Sequence, residues 1–288
     1  DKTMVIAGGA KVSDKINTLK QFVHTGVKII FVGGKMVNTF LLARQAQSEN
    51  KIFTLGDIPA TLLSITKKTN EVLVNEVSLA REILVFAKNK GVSFILPDDY
   101  KCVNRFTDST FYIKTEPDFN KEIQLDLGPK TIKSLKKIIR SGEIKNVFWN
   151  GPLGAYDHPT NTSYVEGSLE LAQLLFGEAL VNQNFSVVIG GGDSAAILNK
   201  VEANKLKSLI TQCIEEQLAE TINHDLISME FPVDDCYVLW NYLSSNFFIS
   251  TGGGASLEFL EKFLKGEGHG DLASYLPGTS TLKELTAA

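Results

Sequence analysis

"SVVIGGGDSAAILNK", residues 186–200, carries the pattern from which the architecture can be worked out. An apolar run rich in β-branched residues leads into three glycines, Gly190 to Gly192. Asp193 and Ser194 follow, and then residues spaced as in a helix. An apolar run without alternation suits a strand buried on both faces. A strand that passes through a tight glycine turn into a helix is the first half of a βαβ crossover.

The same grammar recurs outward from this point. "TMVIAGGAKVSDKINTLKQFV" (3–23), "VKIIFVGGKMVNTFLLA" (27–43) and "NFFISTGGGASLEFLEKFL" (246–264) carry strand, glycine turn and helix. "NVFWNGPLGAYD" (146–157) has the strand and the turn, and "GVSFILPDDY" (91–100) adds a strand that ends in proline and acids. The spacing between units is irregular, which excludes a solenoid. The reading is a three-layer α/β/α, Rossmann-like, mostly parallel sheet with helices on both faces. In such a sheet the ligand lies beyond the carboxyl ends of the strands, where all five glycine turns fall. Residues 45–75 and 200–245 lack a clean match to this grammar and read as insertions into a single domain spanning 1–288.

Composition narrows the function. Of the 288 residues 43% are hydrophobic, enough for a sizeable core, and the net charge of −4 gives no global basic field to recruit nucleic acid. Only Arg44, Arg81, Arg105 and Arg140 are arginines. The three cysteines, Cys102, Cys213 and Cys236, show no CxxC spacing, which argues against a disulfide scaffold or structural zinc and fits a reducing, cytoplasmic setting. No apolar stretch approaches the roughly 20 residues that cross a bilayer. The chain opens at Asp1 within the approach to a strand, so it is expected to be a fragment or a processed product.

Four constellations carry chemistry. Asp193 has two readings. It is either the N-cap of the following helix or a carboxylate that contacts magnesium on a nucleotide, with Gly191 and Gly192 bringing backbone close to phosphate and Ser194 bonding a phosphate oxygen. Lys11 and Lys15 sit four apart at a helix start, where cations oppose the macrodipole unless an anion offsets them; the alternative is a solvated basic face. Gly252, Gly253 and Gly254 offer only N–H donors, which suits a phosphoryl group in flight, or else form a plain strand–helix turn. In "WNGPLGAYD", Pro152 stiffens the turn, Asn150 can donate to phosphate and Asp157 can accept from a ribose hydroxyl. Trp149 reads as core. Glu230, Asp234 and Asp235 lack a calcium-loop pattern and read as loop and helix-start acids.

Taken in order, "GGAKVSDKI", "LDLGPKTI", "WNGPLGAYD", "GGGDSAA" and "STGGGASLE" make the chain resemble the carboxyl-terminal half of phosphoglycerate kinase. The resemblance implies a two-domain enzyme that moves a phosphoryl group between 1,3-bisphosphoglycerate and Mg·ADP in glycolysis. The nucleotide half is the one seen here, and the arginine-rich amino-terminal half is its expected partner; neither nucleic acid nor membrane is, and a monomer is expected. Carried over, Lys11 stabilises the transferring phosphoryl group, Lys15 the nucleotide phosphates, and Gly252, Gly253 and Gly254 hold the phosphoryl. Asp193 contacts magnesium and Ser194 a phosphate. Asn150, Gly151 and Pro152 line the nucleotide together with the turns at Gly8–Gly9 and Gly191–Gly192, and Asp157 meets the ribose. Gly33, Gly34, Leu125 and Leu73 form the adenine slot.

Three positions depart from the family. Ser194 stands where threonine is usual and Asp157 where glutamate is usual. Lys35 takes the place of a third glycine beside the adenine slot, where its stem either narrows the slot or swings to solvent. Two other classes compete with this reading. A dinucleotide-binding oxidoreductase needs GxGxxG, which "GGGDSA" does not supply. A catalytically inactive nucleotide-binding or interaction module would keep the binding residues without turnover.

Overall fold

The computed structural model describes residues 2–10, 12–13, 15–49, 54, 57, 70–118, 121–158, 162–182, 184–198 and 246–250. Numbered in chain order, its strands are β1 (Thr3–Ala7), β2 (Ile29–Val32), β3 (Ser93–Ile95), β4 (Tyr100–Val103), β5 (Tyr112–Lys114), β6 (Ile123–Leu127), β7 (Asn146–Asn150), β8 (Ser186–Gly190) and β9 (Phe247–Ser250). The helices are α1 (Ile16–Thr25), α2 (Val37–Ser48), α3 (Asn70–Asn89), α4 (Pro129–Ile139), α5 (Glu166–Val181) and α6 (Gly192–Leu198).

Six strands form one sheet in the order β3-β2-β1-β7-β8-β9, and every neighbouring pair is parallel. This is the order of a doubly wound sheet. The chain builds from β1 outward in one direction, then returns to β1's other side with β7, which makes β1/β7 the topological switch point. The six strands are the apolar runs picked out in the sequence.

Those runs are apolar throughout because both faces are covered. Met4, Ile6, Phe31, Val147, Trp149, Val187 and Ile189 point into one core with α4, α5 and α6. Their neighbours Val5, Ala7, Ile30, Val32 and Phe148 point into a second core with α1, α2 and α3. Trp149 is fully buried, as core, and its indole N–H donates to the Gly151 carbonyl at 2.8 Å. The three layers expected from the sequence are present.

A second, three-stranded antiparallel sheet, β5-β4-β6, was not read from the sequence. It is inserted between β3 and β7 and lies beside the switch point. Asp99, just before β4, fastens it to the main body. Its carboxylate accepts from the N–H groups of Lys130 and Thr131 (2.9 and 2.7 Å) and so caps α4 from a distance. Gly128 leaves room for that carboxylate, since a Cβ there would sit 2.3 Å from the Asp99 carboxyl carbon.

α2 runs to Ser48 and α3 begins at Asn70, so the two ends of the stretch 45–75 are helical. The remainder of that stretch, apart from Thr54 and Asp57, and all of 200–245 lie outside the described residues.

Candidate functional site

Three glycine turns meet at the carboxyl ends of β1, β2 and β7, and they are stitched to one another through their backbones. Gly9 N–H donates to Pro152 O (2.8 Å), Gly34 N–H to Leu153 O (3.1 Å) and Met36 N–H to Gly9 O (3.0 Å). The approach is close enough to demand glycine. A Cβ on Gly151, whose φ is +96°, would lie 2.3 Å from Gly8 O, and one on Gly8 would lie 2.3 Å from Pro152 O. These glycines therefore bring backbone to backbone, and several of their N–H groups are already spent on neighbouring turns.

The stitched turns form one wall of a cleft of about 200 Å³ beyond the strand ends. Gly9, Gly34, Pro152 and Leu153 belong to this wall. The other wall comes from the small sheet and its approach: Pro97, Tyr100, Gln124, Leu125 and Asp126. The loop after β7 runs between the two, held to β6 by Ala155 N–H donating to Leu125 O at 2.7 Å. It carries Tyr156 and Asp157 to the rim, where Asp193 at the start of α6 faces them.

Asp193 is exposed, one residue inside α6, and its Oδ1 accepts from the Tyr156 hydroxyl at 2.9 Å. Burial and this carboxylate push the Tyr156 hydroxyl up to about 12. Ser194 is buried, and its Oγ accepts from Gly151 N–H at 2.8 Å, which ties α6 to the turn after β7. Asn150 is likewise engaged. Its amide N–H donates to Gly190 O at 3.0 Å and its carbonyl accepts from the Lys15 ammonium, which reaches over from the start of α1. Both polar ends of Asn150 thus position the turns around it.

Deeper in the cleft Asp126 is fully enclosed. Oδ2 accepts from Gly167 N–H at 2.7 Å and lies 3.8 Å from the Lys101 ammonium, which itself pairs with Glu166 at 2.7 Å. Burial pushes the Asp126 carboxyl up to about 7, against the pull of Gly167 and Lys101 toward the charged form. Cys102, the free cysteine described, is buried on β4 with its thiol pushed up to about 12 by burial, so it is a packed rather than a reactive thiol.

Of the residues singled out in the sequence, the structure brings Gly9, Gly34, Leu125, Pro152, Asp157 and Asp193 to one cleft. Lys35 is there too, its stem lining the cleft and its ammonium 5.8 Å from the centre of the Phe106 ring. Gly8, Gly33 and Gly151 serve the contacts between turns, Gly33 against the Leu153 side chain. Gly191 and Gly192 form the turn into α6. Leu73 lies on α3 and is buried in the core that this helix shares with α1 and α2, away from the residues that line the cleft. Lys11 and the turn of Gly252, Gly253 and Gly254 lie outside the described residues, as do Glu230, Asp234 and Asp235. Sequence reasoning missed Tyr100, Gln124, Asp126 and Tyr156. The signal for two of them was in "IQLDL", where polar residues alternate with apolar ones in a strand beside the site.

Among the described residues no helix is long and apolar enough to cross a membrane, and no group of three or more His, Cys, Asp or Glu side chains is placed to hold a metal ion.

Comparison with known proteins converges on one family. A family model described as phosphoglycerate kinase matches residues 1–214. The chain is 32% identical over 260 residues to a phosphoglycerate kinase of Clostridium botulinum, covering 90% of this chain and 48% of that protein. It is 30% identical over 281 residues to that of Dictyoglomus turgidum, covering 97% and 51%. The solved phosphoglycerate kinase of Coxiella burnetii superposes with a TM-score of 0.57 at 25% identity, over 91% of this chain and 50% of that one. The Pyrococcus horikoshii structure, at 19% identity and a TM-score of 0.55 over 92% and 49%, shares the fold. The chain spans about half the length of the curated relatives it matches.

Proposed function

The chain belongs to the phosphoglycerate kinase family, and from that membership we propose that it is the nucleotide-binding half of such an enzyme. It takes ADP or ATP into the cleft and takes part in reversible phosphoryl transfer between 1,3-bisphosphoglycerate and ADP. The observation that carries this reading is the meeting of three glycine turns at the switch point, beside a cleft with Asp157 and Asp193 at its rim.

In this reading the base lies between Gly34 and Leu125, the ribose meets Asp157, and the phosphates run toward Asp193 and the start of α6. Lys15, with Lys11 and the glycines at 252–254 as the family resemblance implies, supplies positive charge and N–H donors to the phosphates. Transfer breaks the bond from phosphorus to the acyl oxygen and forms one to the β-phosphate oxygen of ADP, so a carboxylate leaves and no covalent enzyme intermediate is needed. The work is positioning and electrostatic stabilisation. The phosphoglycerate would be presented by an arginine-rich amino-terminal half, whose closure over this one keeps water from the acyl phosphate.

The donor set at the rim suits magnesium. Asp193 offers a hard oxygen whose partner oxygen is fixed by Tyr156. Magnesium is commonly held by one or two carboxylates plus substrate phosphates rather than by an all-protein cage. When bound, the ion offsets charge on the phosphates that Asp193 would otherwise repel.

Calorimetry on the 288-residue chain tests the assignment. Magnesium is expected to tighten ADP binding by about tenfold, close to 1.4 kcal/mol, and Asp193→Ala to remove that gain. An unchanged magnesium dependence in the variant would take the metal away from Asp193. A chain that binds no ADP at millimolar concentration would defeat the nucleotide reading. Turnover in a coupled assay once the amino-terminal half of a relative is supplied separates a kinase half from an inactive binding module.

A further inference from the structure

Buried polar atoms in folded proteins are almost always hydrogen-bonded, so those without partners call for a reason. Among the described residues six buried side-chain oxygens and nitrogens have none. Four of the six belong to three residues that line the same cleft: the Tyr100 hydroxyl, both Oε1 and Nε2 of Gln124, and Oδ1 of Asp126. Gln124 and Asp126 lie on β6 and Tyr100 on the neighbouring β4, so all of them belong to the wall opposite the stitched turns.

An amide that leaves its donor and its acceptor both unmatched is costly to fold around, unless something brought later completes it. The rest of the pocket narrows what that something is. Val37, Pro97, Leu125 and Leu153 supply apolar surface on the cleft walls, and Gly34 leaves one wall without a side chain. A flat, largely apolar ring with a donor and an acceptor side by side on its edge fits such a slot.

From this we infer, on top of the nucleotide reading above, that Gln124 is a specificity-determining residue that reads the edge of the nucleobase, with the Tyr100 hydroxyl in the same cleft. Adenine offers the matching pair. Its 6-amino group donates to Oε1 and an adjacent ring nitrogen accepts from Nε2, the bidentate arrangement by which glutamine pairs with adenine elsewhere. The amide head is withdrawn from water, and its terminal torsion joins sp³ to sp² carbon. That torsion is soft, so the head turns to meet a base at little cost. Tyr100 is fixed in the core by its ring, which leaves its hydroxyl as a rigid third group. Asp126 stands deeper, its Oδ2 committed to Gly167, and closes the polar end of the slot.

The test compares two nucleoside diphosphates on the full 288-residue chain by calorimetry: ADP and purine riboside 5′-diphosphate, which replaces the 6-amino group by hydrogen. The wild-type chain is expected to prefer ADP by about tenfold, as for a good bidentate pair. Gln124→Met keeps length and bulk but loses both polar atoms, and its preference is expected to fall to within about twofold. Tyr100→Phe keeps the packed ring and is expected to weaken ADP binding by about threefold, which provides a reading even where Gln124→Met does not fold. Equal affinity of the wild-type chain for both ligands overturns the inference and leaves the nucleotide reading standing, as does a folded Gln124→Met that keeps the tenfold preference. Failure to bind either diphosphate overturns the nucleotide reading and this inference together.

Discussion

The two walls of the cleft reach their shapes by opposite means. The wall at the ends of β1, β2 and β7 is closed on itself: its turns spend N–H groups and carbonyls on each other, and Gly8, Gly34 and Gly151 allow that contact. The wall from β4 and β6 is open. Its backbone is paired within the small sheet, but Gln124, Tyr100 and Asp126 present side-chain atoms that nothing in the described protein satisfies. The first wall is a scaffold whose turns are bonded to one another on folding. The second keeps polar atoms without partners, which is why the inference above places discrimination among ligands there. A glycine-rich turn beside a site is therefore weak grounds for assigning ligand contacts to each of its residues.

The contrast breaks most severely at Gly151. Gly151→Ala puts a methyl into the Gly8 carbonyl at a backbone angle that disfavours side chains, and backbone cannot swing aside. We expect a loss of about 4 kcal/mol or more in urea unfolding, at the extreme end for single substitutions. Gly9→Ala is the control: its φ is +118° but nothing lies within 4 Å, so only conformational strain of about 1–2 kcal/mol is expected. Equal losses would mean that crowding between turns is not what the glycines serve.

The open wall is probed next through Asp126. Its carboxyl is raised from 3.8 in an ordinary setting to about 7, so between these values the folded chain binds more protons than the unfolded one. Stability from this group is therefore lost as pH rises through that window and is fully lost above it. Measured against Asp126→Asn, the wild-type chain should fall behind by a few kcal/mol between about pH 4 and 8. A difference that is flat with pH would show that the carboxylate is satisfied after all.

Ser194 tests the scaffold at a smaller scale. Ser194→Ala leaves the buried Gly151 N–H without its acceptor, and about 1–2 kcal/mol of stability should go. No change in unfolding free energy would return the hydroxyl to a ligand role. Least of all, Lys35→Gly clears a stem from the cleft and should tighten ADP binding by about 1 kcal/mol, the relief of an overpacked contact. An unchanged dissociation constant would leave the Lys35 stem outside the bound nucleotide's path.

How much of this was legible in the sequence follows the same division. The six strands of the main sheet could be read because burial on both faces leaves a continuous apolar run, visible locally in "MVIA" or "IIFV". The turns could be located, but not their reason, because Gly8 is glycine on account of Gly151, far along the chain. The hydrogen bonds of Asn150 and Ser194 to the turns were hidden for the same cause: the atoms that hold turns together are the types that hold anions. The small sheet was missed because strands such as "YKCV" and "YIK" are too short for a period to show. With it went Gln124 and Asp126, whose alternation reads in isolation as a solvent-facing edge.

The stitching of the three turns also has a consequence in time. Gly9, Gly34 and Met36 each donate to a carbonyl of a different turn, so the bonds close a ring of dependencies rather than a chain. Freeing any one turn breaks two of the three bonds at once and leaves only the third. The amide protons of Gly9, Gly34 and Met36 should therefore exchange with solvent more slowly than those of a turn held by one bond. A turn of this wall lifts only by letting go of both its neighbours.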